Sequence, residues 1–499
     1  MTLAIHYPAL QVVLPLLAAP LCSLMRGRDF AWAFATLVSW LAFGIAVALL
    51  FAVRADGAIS YHLGGWEPPW GIEYRVDALG SYLLAIVTLI SAVSLSFARL
   101  SVAREVRQDQ HALFYTMWLL CLAGMLGIAI TGDAFNIFVF LEVSSLSTYA
   151  LVAMGGGGDR RALTAAYQYL VLGTIGATFI LIGIGLIYMM TGTLNILDMS
   201  ERLPAVADTR TIRVAAGFLT IGIALKLALF PLHVWLPNAY TYAPNAVSAF
   251  IAGTSTKVSL YLLLRFSLTV FGPTFSFGKL PLNEILAVLA VAAFLIFSAL
   301  AILQENVKRL LAYSSIAQVG YMVLGISFAS VTGLTAGIVH LFNHALIKTG
   351  LFLCVACVAY RIGSVRITAM AGLGRQMPFT MFAFVLGGFG LIGVPLTAGF
   401  VTKWYLIMAA LEAGTSLGLV AAGLVLVSSL LAVIYVWKVV ESAYFRPAPA
   451  GSPPVREAPL ALLVPTWALI LASIYFGIDT RISVGVARDA AVALLGGIS

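Results

Sequence analysis

Charge is what this sequence has least of. Only 10% of its 499 residues are Asp, Glu, Lys or Arg, against 62% hydrophobic, and a soluble chain of this length needs far more polar surface. The shortage excludes a large soluble domain anywhere along the chain. Cysteine is scarce as well. There are four, and Cys354 and Cys357 form a C-x-x-C pair inside an apolar run. They make no disulfide framework, and the pair reads as small buried side chains in preference to a redox centre. The formal net charge of +8 sits mostly in short loops, as membrane orientation requires, so it does not point to nucleic acid. "MTLAIHYPALQ" has no basic n-region, and no small-residue cleavage site follows its apolar run. The first run is therefore expected to be retained as a helix.

What is present is a series of apolar runs of spanning length. The expected fold is an all-α polytopic membrane protein of about fourteen transmembrane helices. Their cores fall near 9–25, 30–53, 77–98, 112–131, 134–154, 163–190, 212–236, 246–271, 283–303, 310–329, 332–359, 378–411, 416–440 and 458–478. Loops are short. The longest, 54–76, carries Tyr61, Trp66 and Trp70 beside Glu67 and Glu73 and suits an interfacial hairpin. "RPAPAGSPPVRE", 446–457, is a Pro-rich connector. "GGGGDRR", 155–161, follows a membrane helix and not a strand, so it reads as a turn, not a phosphate cradle. Arg and Lys concentrate on one set of alternate loops, from Arg26 and Arg28 through Arg107, Arg160 and Arg161 to Arg446 and Arg456. That set should be cytoplasmic, which puts both termini on the outer, periplasmic side of the cell membrane.

Five charges do not lie in loops. Lys226, Lys257, Lys348, Lys403 and the lone acid Glu142 fall inside apolar spans. Each costs at least ~2.5–3.5 kcal/mol at mid-membrane, too much to be incidental. Structural pairing alone is one explanation, but one acid cannot neutralise four lysines. A buried lysine without a carboxylate must be neutral, hydrated or exchanging its proton, so the set reads as a proton relay. "IGIALKLALFPLHVWLPNAY", 221–240, places Pro231 and Pro237 just after Lys226. Proline breaks a helix, and a break at membrane depth is tolerated only against protein or water. "LIGVPLTAGFVTKWYLI", 391–407, repeats the device with Pro395 and Lys403. Two discontinuous helices, each with a lysine, suggest two related halves, a transporter signature. In "VHLFNHALIKTGLFL", His340, His344 and Lys348 recur every four residues on one helical face. No acid stands near them and an ammonium would repel a cation, so titrating histidines fit better than a metal site. His233, in the first broken segment, is a further relay candidate. No cofactor and no metal site is expected.

"LKLALFPLHVWLPNAYTYAPNAVSAFIAGTSTKVSLYLLLRF", "VKRLLAYSSIAQVGYMVLGI" and "HLFNHALIKTGLFL" resemble the antiporter-like family of proton-translocating membrane subunits. That family includes the Mrp multisubunit Na⁺/H⁺ antiporter subunits and the proton-pumping membrane subunits of respiratory complex I. The resemblance covers nearly the whole chain. It implies two inverted five-helix repeats, here 112–272 (helices 4–8) and 273–445 (helices 9–13), flanked by N-terminal helices at 1–111 and a C-terminal helix at 446–499. It also implies an essential Glu–Lys pair at Glu142 and Lys226, a central relay lysine at Lys257 and a terminal one at Lys403. Nothing resembles the long lateral helix of one complex I subunit. Tyr240 stands where many complex I relatives carry histidine. "YTYAPNAVSAFIAGTSTK" is worded most like the D-type member of Mrp antiporters.

The resulting expectation is an Mrp-type subunit that moves H⁺, with Na⁺ as coupled ion, alongside other membrane subunits in a hetero-oligomer. The alternative is a proton-pumping subunit of an NADH:quinone oxidoreductase or a membrane-bound hydrogenase. A stand-alone solute transporter, or a structural subunit with inert charges, is a third reading. The chain itself is not expected to be an enzyme. It shows no nucleophile–base set, dinucleotide loop, iron–sulfur cysteines or haem site, so any redox step would belong to partner chains.

Overall fold

The computed structural model describes residues 2–25, 27–448 and 453–496. Arg26 and residues 449–452 of the Pro-rich connector lie outside the described residues. Among the described residues the regular structure is helical apart from one hairpin. In chain order, α1 (Tyr7–Ser23) and α2 (Arg28–Asp56) lead to antiparallel strands β1 (Ile59–His62) and β2 (Glu73–Val76). The hairpin occupies the loop expected to be interfacial. Next come α3 (Ala78–Glu105), α4 (His111–Ile130), α5 (Ala134–Ala153), α6 (Arg161–Thr191) and α7 (Arg210–Leu227). They are followed by α8 (Trp235–Tyr242), α9 (Asn245–Leu264), α10 (Leu282–Ile302), α11 (Val307–Ser327) and α12 (Val331–Ile362). The last are α13 (Pro378–Ile392), α14 (Ala398–Glu412), α15 (Ser416–Phe445), α16 (Leu460–Ile478) and α17 (Arg481–Leu494). Among the described residues, 11 helices are long and apolar enough to cross a membrane, with α1 and α13 as shorter apolar helices. The chain is an all-α polytopic membrane protein.

Helix starts follow from local sequence. Asp77 accepts from Gly80 N–H at 2.8 Å to cap α3, and Asp133 accepts from Asn136 N–H at 2.7 Å to cap α5. Asn306 and Ser330 cap α11 and α12 in the same way. Each satisfies an amide proton that the first turn leaves free. Burial sorts the helices into an inner and an outer set. The most apolar stretch of α9 is wholly enclosed and that of α11 nearly so, whereas α2, α6, α10, α15 and α16 keep most of theirs on the outside. The helix that carries Lys257 is therefore the centre of the bundle.

Both expected interruptions are present, and α7/α8 is the first. The chain leaves α7 through Ala228, which takes the left-handed φ of 57°. The amide protons of Ala228 and Leu229 turn back onto Leu225 O and Ala224 O at 3.2 and 3.0 Å. The Trp235 indole donates to Leu225 O at 2.9 Å. These bonds meet carbonyls that the break releases. Pro231 lies in the break, but Pro237 does not. It is the third residue of α8, in the first turn, where a missing amide proton leaves no gap. Pro395 lies in the second break, between α13 and α14, with Gly393 at φ 85° and Leu396 at φ 71°. A second departure from expectation is α17. The region after 446 holds two helices, not one, and the added helix has a polar face that an apolar-run count passes over.

Candidate functional site

Glu142, Ser145 and Tyr149 fall three and four residues apart on α5 and share one face. Lys226 sits in the last turn of α7, where the end of the helix carries partial negative charge. The Lys226 ammonium donates to Ser145 Oγ at 2.7 Å and to Tyr149 OH at 3.4 Å. Its distance to Glu142 Oε1 is 4.0 Å, with side-chain exposures of 7% and 26%. The pair is thus a loose ion pair with a hydroxyl as the closer partner. A cavity of about 30 Å³ opens beside Lys226, lined by Ser144, Ser145, Tyr169 and, across on α9, Ser255 and Ser259. That is room for one or two waters, and it leads from Lys226 toward the helix that carries Lys257.

Lys257 is fully buried. Its ammonium donates to Ala252 O and, at 3.4 Å, to Thr256 Oγ1. On α12, His340 and His344 stack with ring centroids 5.6 Å apart. His340 Nδ1 meets Thr402 Oγ1 at 3.0 Å, and Asn343 Nδ2 reaches the same oxygen at 3.1 Å. Neither ring nitrogen of His344 meets a hydrogen-bond partner among the described residues. Buried polar atoms are rarely left so, and a group that must exchange protons through water is one reason for it. Lys348 donates to Leu311 O at 2.8 Å and to Ser314 Oγ. The helix α12, which carries both histidines and Lys348, packs against α9 with Lys257 and against α14 with Lys403. One cluster therefore spans α9, α12 and α14.

Lys403 closes the line. From α14 it reaches back to the end of α13, donating to Leu391 O at 3.2 Å, Ile392 O at 2.6 Å and Ser429 Oγ at 2.7 Å. A half-helix end with free carbonyls thus holds an ammonium. The ammonium also lies 5.2 Å from the centre of the Tyr321 ring, which makes an edge contact with His340.

His233 is not brought to this line. Its ring packs on Phe297 at 4.3 Å, in the first break. Two cations were missed or misjudged from the sequence. Arg265 lies in the span that carries Lys257, at 8% exposure, paired with Asp77. Lys308, at the start of α11, where a basic residue reads as an interfacial charge, is 5% exposed and donates to Ala243 O at 2.7 Å. The hydroxyls at Ser145 and Tyr149 were legible as the face they share with Glu142, whereas Thr402 and Ser429 carry no such signal. Among the described residues no group of three His, Cys, Asp or Glu side chains is placed to hold a metal.

Residues 131–431 match the family described as NADH:quinone oxidoreductase/Mrp antiporter, TM. The chain is 40% identical over 496 residues to the N-type member of NADH-quinone oxidoreductase from Desulforudis audaxviator (strain MP104C), covering 95% of this chain and 96% of that one. It is 30% identical over 367 residues to the D-type member of the Na(+)/H(+) antiporter from Alkalihalophilus pseudofirmus (strain ATCC BAA-2126 / JCM 17055 / OF4), covering 73% and 72%. Its fold matches a chain in the Mrp complex from Dietzia sp. DQ12-45-1b with a TM-score of 0.91 at 27% identity, covering 100% of this chain and 98% of that one. Sequence identity thus leans to the N-type relative and not to the D-type one that the wording of 240–257 suggested. On the matched stretch and the full-length likeness together, the chain belongs to the NADH:quinone oxidoreductase/Mrp antiporter family of antiporter-like membrane subunits.

Proposed function

We propose that this chain is a proton-translocating membrane subunit of a redox-driven complex of the quinone oxidoreductase kind. The observation that carries the reading is the polar line from Glu142 and Lys226, past a cavity that admits water, to Lys257, the stacked histidines and Lys403. In this reading Glu142 and Ser145 hold Lys226 charged. When Glu142 is perturbed the pair loosens and Lys226 gives up its proton toward Lys257. It then passes by His344 and His340, with Lys348 alongside, to Lys403 at the second break. No bond but N–H and O–H is made or broken, and the redox step lies in partner chains.

The α5 face supports a subunit role. Phe135, Val139 and Leu146 are exposed at 46%, 41% and 56%, and Glu142 lies among them, a quarter open. A carboxylate facing lipid is costly, so a neighbouring subunit is expected to cover it, and that neighbour is placed to perturb the Glu142–Lys226 pair. Counting α7/α8 and α13/α14 as one crossing each brings the spans to about fourteen. We infer from the family resemblance two inverted five-helix repeats, at 112–272 and 273–445, between an N-terminal unit at 1–111 and a C-terminal one at 446–499. Both termini then lie on the outer side.

A second reading, an Mrp-type Na⁺/H⁺ antiporter subunit, is favoured by the fold likeness to the Mrp chain. Purifying the intact complex from native membranes separates the two. Co-purifying flavin or iron–sulfur subunits, with proton uptake driven by an electron donor, are the expected result. Small antiporter subunits with no redox partner would replace the first reading by the second.

A further inference from the structure

A second buried cation lies on the Lys257 helix, and the relay does not use it. Lys257, Tyr261 and Arg265 recur every four residues and share one face, so the guanidinium lies about 12 Å further along the axis, toward the outer end. Arg265 pairs with Asp77 and lies 4.9 Å from the centre of the Tyr261 ring. The Tyr261 hydroxyl is occupied too, donating to Ala129 O at 2.9 Å. Asp77 is itself fixed by Gly80 N–H at the start of α3.

Beside this pair lies a cavity of about 260 Å³, lined by Arg75, Asp77, Thr131, Tyr261, Arg265 and Leu494. Its polar wall and size admit several waters. Tyr261, one turn beyond Lys257, lines this cavity, and water passing from it to Lys257 would let the relay discharge half-way, before its proton reached Lys403. Arg265 lines that cavity beside Tyr261, on the face that carries Lys257; its side chain does not give up its proton, and a fixed positive charge on the wall of a water-filled path repels H⁺ and other cations. Arg75, paired with Glu73 at 3.6 Å, also lines the cavity but from β2 and not from the Lys257 face.

We propose that the Arg265–Asp77 pair is an electrostatic seal that keeps the outer cavity apart from Lys257, so that protons leave only by the Lys403 end. The proposal rests on the relay reading above, and its test separates the two. The assembled complex is reconstituted in liposomes with an internal pH dye, and passive proton flow is driven by a potassium–valinomycin potential. Replacing both partners, Asp77→Asn with Arg265→Leu, leaves no unpaired charge and is expected to raise the passive flow at least about tenfold. Arg75→Gln is expected to stay tight. Adding Lys257→Ala to the double variant should return the flow to the wild-type level, which a merely loosened fold would not do. An assembled double variant no leakier than wild type, or a leak indifferent to Lys257, would overturn the seal. Turnover-driven pumping by Lys257→Ala alone reports on the relay, whichever way the leak falls.

Discussion

Lysine and arginine serve opposite ends in this interior. Lys403 is held by two backbone carbonyls and one hydroxyl, acceptors that bind an ammonium yet do not force it to stay charged. Arg265 is held by a carboxylate and stays charged whatever its surroundings. The substitution Lys403→Arg is therefore expected to assemble normally and to lower proton translocation at least about tenfold, because a guanidinium binds the site but does not release a proton. Translocation near the wild-type rate would remove Lys403 from the relay. Ser145→Ala takes away the closest partner of Lys226 and leaves Glu142 in place. A net hydrogen bond to a charged group is worth about 1.5–3 kcal/mol, so the expected result is turnover slower by about tenfold or more, measured by dye quenching in vesicles. The acid, the lysines and the histidines of the line were legible in the sequence because a charge in an apolar span is conspicuous by its cost. Arg265 was not, because near the end of a span it looks like an interfacial anchor. Thr402 and Ser429 were not, because a hydroxyl in a helix bonds its own backbone as readily as a neighbour.

The two breaks are built differently. In the first, Lys226 precedes the break and its own helix end helps hold it. In the second, Lys403 follows the break and reaches back. Each break also keeps a non-glycine residue, Ala228 or Leu396, in the left-handed region, at a cost of about 1–2 kcal/mol each. Gly393 carries a demand that bears on Lys403 directly. Its φ is 85°, and an added Cβ would lie 2.7 Å from Lys403 Cδ. Gly393→Ala is therefore expected to displace Lys403 and to lower translocation more than it lowers the amount of assembled complex. Equal losses in both, measured by quantitative blotting against pumping rate, would show that the effect is on folding alone. Pro231 and Pro395 could be read in advance because proline removes a hydrogen bond that a helix interior needs. Pro237 was misjudged for the same reason, since the rule reverses in the first turn. The helix α17 escaped because an amphipathic element leaves no long apolar run.

At the scale of the molecule, the enclosed α9 places Lys257 in the bundle's centre, while Glu142 on α5 is partly open. The polar line thus meets different surroundings along its length, partly open at Glu142 and enclosed at Lys257. Orientation is open to a direct check, because the native cysteines are buried. A single cysteine replacing exposed Glu67 should react with an impermeant maleimide in intact cells, and one replacing exposed Gln108 only after permeabilisation. The reverse pattern would invert the topology. The apolar spans were legible because lipid demands length and hydrophobicity. The kind of complex was not, since the motifs are shared by relatives that differ in what drives them.

The claim at the centre is that a proton crosses between the two halves by way of Lys257. The measurement is electron-donor-driven acidification of vesicles holding the assembled complex, compared between wild type and Lys257→Ala at equal assembly and equal redox turnover. The expected result is translocation by this subunit lost while redox turnover continues. Unchanged proton yield per electron would contradict the account.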